Sequence, residues 1–352
     1  MINKIYNFLR IFVVIILISC NNKHETKLIT QTDTTIPEIS DINQKIKLDP
    51  NNPELYKKRA EVYIKLKKID EALLDINRAL TIDSSKAAYF ITRSDIYFAG
   101  GQVTKCKESL QKALIIDPKN EEAILKLAEL YFYFKDYNNT FEFLNKAYKL
   151  NPNNAKVWFM RGMTYKDMGD TNKAIKSLTE AVQIDQNNYE AYLYLGILYA
   201  GRKNPLAIEY YKNALNIKPA IPEALYNLGL FYQETGDYDK AIQTYTMITT
   251  QNINPDSPQY IFLKHAYYNM GYINLQYTQL YMQAVKHFTS AINIDPYFVE
   301  AYYNRGYSYE LMGDVIKARK DYEKALKIRV NYDMALQGLN RLDKLDKTLR
   351  LN

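Results

Sequence analysis

Arg305 stands among Tyr302, Tyr303, Tyr307 and Tyr309 in the stretch AYYNRGYSYELMGD, residues 301–314. A guanidinium among phenols could hold a carboxylate or phosphate, and tyrosine faces could stack on bases or sugars. A near copy, WFMRGMTYKDMGD at 158–170, makes packing the competing explanation, because a recurring stretch signals a structural period. Other chemistry is sparse. His24, His265 and His287 show no metal-ligand spacing, and no GxSxG, P-loop or GxGxxG occurs. Cys106 falls where neighbouring segments carry a small packing residue. No catalytic residue, cofactor or metal is expected.

The elements that position these residues repeat. A small residue recurs as Ala60, Ser94, Ala128, Gly162 and Gly196, each 34 residues after the last, then as Gly229, Gly271 and Gly306. Three residues later stands Tyr63, Tyr97, Tyr131, Tyr165, Tyr199, Tyr232, Asn274 or Tyr309. A second small position follows as Ala72, Cys106, Thr140, Ala174, Ala207, Ala241, Ala284 and Ala318. Two helices packed closely need small side chains where their backbones cross and large ones beside them. The pairs Gly169-Asp170, Gly236-Asp237 and Gly313-Asp314 end one helix and open the next.

This period and these marks resemble the tetratricopeptide repeat. The resemblance implies an all-α fold, a right-handed superhelical solenoid of helix-turn-helix repeats. Eight repeats are expected, at 53–86, 87–120, 121–154, 155–188, 189–221, 222–263, 264–298 and 299–332. A half-repeat helix at 37–52 and a capping helix at 333–352 would close the ends, since an uncapped array leaves apolar surface in water. The longer polar link ITTQNINPDSPQYIFL, 248–263, is expected to bend the array, with Ser257-Pro258 capping an early helix start.

The N-terminus reads differently. MINKIYNFLRIFVVIILISC has a basic start and an apolar run too short to span a membrane, as in a signal peptide. Leu17-Ile18-Ser19-Cys20 resembles a bacterial lipobox, which implies a leader at 1–19, lipidation of Cys20 and a flexible tether at 20–36. Asn21 in place of Asp then points to the outer membrane of a bacterial envelope. The net charge of +7 hints at an anionic partner. However, ten lysines and arginines against five acids fall in 317–350, as in a solvated end helix, and export argues against nucleic acid.

In the tetratricopeptide family the first helices line a groove. Carrying the family's groove positions over gives Tyr226, Asn227, Tyr268, Asn269, Tyr272, Tyr303, Asn304 and Tyr307 as a peptide-binding set. Tyrosine supplies rigid apolar area with a polar tip, and asparagine can read a peptide backbone. The family's carboxylate clamp is not expected, because Glu61 and Thr92 stand where asparagines would be needed. The expected function is a non-catalytic scaffold, lipid-anchored in the membrane, that binds proteins or peptides. The alternative is an envelope glycan module using the same tyrosines.

Overall fold

The structure, a computed structural model, describes residues 36–351. The expected leader 1–19, Cys20 and the tether up to residue 35 lie outside the described residues. Helix α1 (Pro37–Leu48) precedes eight pairs: α2 (Pro53–Lys65) and α3 (Ile69–Ile82), α4 (Ala87–Ala99) and α5 (Val103–Ile116), α6 (Glu121–Tyr133) and α7 (Tyr137–Leu150), α8 (Ala155–Asp167) and α9 (Thr171–Ile184). Then follow α10 (Tyr189–Ala200) and α11 (Leu206–Ile217), α12 (Pro222–Glu234) and α13 (Tyr238–Thr249), α14 (Tyr260–Gln276) and α15 (Tyr281–Ile294), α16 (Val299–Leu311) and α17 (Val315–Ile328). Helix α18 (Asp333–Leu351) ends the series, and no strand occurs among the described residues. The fold is an all-α solenoid of helix pairs. Two compact units are present, ending and beginning at Cys106 and Lys107, so their boundary falls within α5.

Every pair turns through one left-handed residue. Lys67, Gly101, Lys135, Gly169, Lys203, Gly236, Gln279 and Gly313 all have φ between 54° and 84°. Glycine adopts this conformation without steric cost, so four of the eight turns use a residue that does so less readily. Asp136, Asp170, Asp237 and Asp314 follow directly, and each carboxylate accepts a backbone N–H of the second helix's first turn. Asn52, Asn120, Asn154 and Asn188 cap first helices in the same way.

The link after α13 departs from expectation in one detail. Ser257 does not cap a helix beginning at Pro258; its Oγ accepts the Gln259 N–H at 3.2 Å in a turn, and α14 begins at Tyr260. The early start itself is real, since α14 has 17 residues against 13 in α12 and α16. The apolar core continues through the link: Ile253 packs against a cluster that joins Tyr232, Tyr245 and Ile248 to Phe262, Ala266 and Met270.

Within the second unit, the core is organised by rings lying on glycines. A Cβ on Gly196 would stand 2.5 Å from the Tyr211 ring, one on Gly229 2.7 Å from Tyr245, and one on Gly271 2.8 Å from Phe288. Tyr322 is held between two glycines, with Gly306 against its Cδ1–Cε1 edge and Gly338 of α18 against its Cε2–Cδ2 edge. Earlier in the unit Gly162 faces Leu178, and Ala128 shares a core with Leu144. Each of these four rings therefore lies against a glycine, as Leu178 does, whereas Leu144 shares its core with alanine.

This pairing predicts a compensated double substitution. Gly271→Ala should destabilise the protein by about 1–3 kcal/mol, as overpacking does. Adding Phe288→Leu should recover part of that loss, although Phe288→Leu alone is destabilising. Urea midpoints of the four proteins measure the coupling, and strictly additive effects would contradict the ring-on-glycine contact.

Candidate functional site

Arg305, the residue that first suggested chemistry, is a structural bridge. Its Nε and Nη2 donate to the two carboxylate oxygens of Asp321, each at 2.7 Å, and its Nη1 donates to Thr289 Oγ1 at 3.0 Å. One guanidinium thus ties α16 to both α17 and the preceding α15. Arg59 does the same between α2, α3 and α1, through Asp75 and Asn43, at 2.6 Å throughout. In repeat four, Ser177 replaces the aspartate. Arg161 keeps the backward bond to Asn145 at 2.6 Å and stacks over Trp158, but its buried Nε has no acceptor. A bidentate, buried Arg–Asp pair is costly to break from one side, which fits a positional role.

The first helices α10, α12, α14 and α16 lie side by side, and α18 packs along α16. Their groove positions divide into two groups. The expectation that Asn269, Tyr303 and Asn304 line an open groove is corrected, because all three are buried. Asn269 Nδ2 donates to the Tyr245 hydroxyl at 3.0 Å and reaches the Tyr226 hydroxyl at 3.4 Å. Asn304 Nδ2 donates to the Tyr268 hydroxyl at 2.9 Å. Each asparagine therefore secures the tyrosine of the preceding repeat. Before Asn227 the corresponding position in the sequence is Leu193, which has no hydroxyl, and Asn227 donates instead to its own helix at Glu223 O, 2.9 Å away. Tyr303 packs against Tyr322 and Tyr332 at ring distances of 5.7 and 5.9 Å.

Helix α18 closes the far end. Arg341 lies over the Tyr307 ring at 5.4 Å and donates to both carboxylate oxygens of Glu310, at 2.7 and 2.9 Å. The Tyr322 hydroxyl donates to the same carboxylate, and burial raises its pKa well beyond the usual phenol range. Tyr226, Asn227, Tyr268, Tyr272 and Tyr307 are half-buried, with Gln276 and Glu234 exposed at the helix ends. Burial raises the pKa of Tyr226, Tyr268 and Tyr272, so all three present neutral hydroxyls. In unit one, Lys57 is paired with Glu61 at 2.7 Å. Among the described residues, no three His, Cys, Asp or Glu side chains are grouped to hold a metal.

His265 sits within this surface, with ring centroids 6.1 Å from Tyr226 and 5.9 Å from Phe298. Burial, reinforced by the neighbouring Lys264 ammonium, lowers its pKa to about 4. The unfolded chain then binds a proton between about pH 6.5 and 4 that the folded protein refuses, so stability falls as pH falls through that window. His265→Phe should remove about 2–3 kcal/mol of that acid sensitivity. Urea unfolding at pH 7 and pH 4.5 measures it, and an unchanged difference between the two pH values would contradict the burial.

Comparison with known proteins follows the same lines. Profiles of the tetratricopeptide repeat match residues 53–86, 121–154 and 155–188, 210–243, and 299–332. No curated protein matches the chain. Among solved structures, pilF of Pseudomonas aeruginosa is 18% identical with a TM-score of 0.51, over 61% of this chain and 97% of that one. MamA is 27% identical with a TM-score of 0.40, over 44% of this chain and 91% of that one. YrrB, described as a TPR protein with an unusual peptide-binding site, is 19% identical with a TM-score of 0.40, over 54% and 97%. The fold likeness rests on pilF, and the family rests on the matched repeats and their shared helix-pair geometry. The chain belongs to the tetratricopeptide repeat proteins.

Proposed function

We propose that this protein is a non-catalytic scaffold that binds partner proteins through the first helices of repeats six to eight, held by lipid on Cys20 at a bacterial envelope. The observation that carries the binding site is a run of half-buried, uncharged tyrosines on α12, α14 and α16. Tyr226, Tyr268 and Tyr272 are fixed by neighbouring rings and so lose little conformational freedom when a partner docks. Their hydroxyls and Gln276 offer polar contacts along a peptide backbone. The anchoring rests on the leader sequence and the lipobox-like residues before Cys20.

Two experiments test the two halves. Proteins crosslinked in intact cells to the full-length chain should be lost from a Tyr272→Ala/Tyr307→Ala variant. They should be retained by Lys176→Ala, which alters an exposed position on a second helix. The same partners recovered from all three would contradict the site. Separately, Cys20→Ser should move the protein from the membrane to the soluble fraction and end incorporation of labelled palmitate. A variant that stays lipid-labelled would contradict the anchor.

A further inference from the structure

The first turn of several first helices carries a glutamate, and the chain supplies a cation to it from the end of the same repeat. Glu54 receives Lys86 at 3.2 Å, Glu190 receives Lys218 at 3.3 Å, and Glu300 receives Arg329 at 3.0 Å. Glu223, at the same place in α12, receives none among the described residues. The residues that would supply its cation are Gln251, Asn252, Ile253, Asn254 and Pro255, in the polar link before α14. The link therefore removes a counter-charge as well as adding length. Glu223 is half-buried, without an ion pair or a side-chain hydrogen bond among the described residues, and burial raises its pKa.

A second, independent group points to the same place. Tyr189, at the start of the adjacent α10, is only 6% exposed, and its hydroxyl has no hydrogen-bond partner. Helix α10 packs against α12, and the Tyr189 pKa is raised by burial first and by the Glu223 carboxylate next. The Tyr189 ring already accommodates an ammonium, with Lys218 Nζ 4.6 Å from its centroid. Tyr194 of α10 is likewise raised by burial, with Glu223 the foremost charge acting on it. A buried hydroxyl and a half-buried carboxylate each lacking a partner are costly unless a ligand satisfies them.

We infer that Glu223 and Tyr189 form a subsite for a basic side chain of the partner, a lysine or arginine whose cation pairs with the carboxylate and donates to the phenol oxygen. This rests on the scaffold reading and narrows it to partners with a basic residue in the docked segment. The chain's net charge of +7 gives it no overall attraction for cations, so binding of one reports a local site.

Acetylated tetralysine amide is the probe, with acetylated tetraglutamine amide as the neutral control, titrated calorimetrically against the full chain. Tetralysine should bind and tetraglutamine should not. Glu223→Gln should weaken tetralysine binding at least fivefold, Tyr189→Phe about two- to fivefold, and Glu180→Gln on a second helix not at all. The free Glu223→Gln protein should melt at or above the wild-type temperature, because the carboxylate it removes is uncompensated; a lower temperature would overturn the assignment. So would wild-type affinity in Glu223→Gln, equal losses in Glu180→Gln, or no tetralysine binding to the wild type. Failure here, with partner capture still dependent on Tyr272 and Tyr307, would sink this subsite alone. Capture indifferent to those tyrosines would sink the scaffold reading instead.

Discussion

The second unit depends on how closely the two helices of a repeat approach. Where a ring of the second helix lies on the first, only glycine leaves room for it, and Gly196, Gly229, Gly271 and Gly306 meet that requirement in succession. The contact buries Tyr211, Tyr245, Phe288 and Tyr322 almost completely. Because Tyr245 and Tyr322 carry hydroxyls, the same packing creates polar obligations inside the core, which Gln233 and Glu310 of the first helices accept. Tyrosine at 245 and 322 is therefore matched by a glycine on the first helix and a polar acceptor one turn further along it.

Those obligations spread between repeats. Asn269 serves Tyr245 and Tyr226 together, so one amide joins the core of repeat six to its exposed face. Asn304 holds the single hydroxyl of Tyr268. The arginine bridges of Arg59 and Arg305 add a second kind of tie, each spanning three helices. Tyrosines that face outward are thus held from behind by groups that cannot turn toward a ligand. That arrangement gives a rigid, uncharged surface, in contrast to the region around Glu223, where charge is left unanswered.

The architecture was legible because its cause is periodic. Small residues at fixed intervals and Gly-Asp turns follow from helix geometry, and they point to an all-α array of helix pairs. Less legible was what each side chain does across a repeat boundary. Asn269 and Asn304 looked like ligands because they neighbour groove tyrosines, yet each follows a repeat with tyrosine at the preceding groove position, whereas Asn227 follows Leu193. That pairing was present in the sequence as a signal. The covering of Tyr303 by Tyr332 and α18 had no comparable signal, since it depends on how the end helix packs. The missing cation opposite Glu223 was also hidden, because the rule it breaks emerges only from the ion pairs of the other repeats.

The central claim is that partners dock on the first helices of repeats six to eight. The most direct measurement places a photoreactive amino acid at Gln276 or Glu234, exposed ends of α14 and α12, and at Lys176 on α9. Irradiation of intact cells should yield discrete protein adducts from the first two positions and none in common from Lys176. Adducts from Lys176 alone would place the partner on the opposite helices and contradict the account.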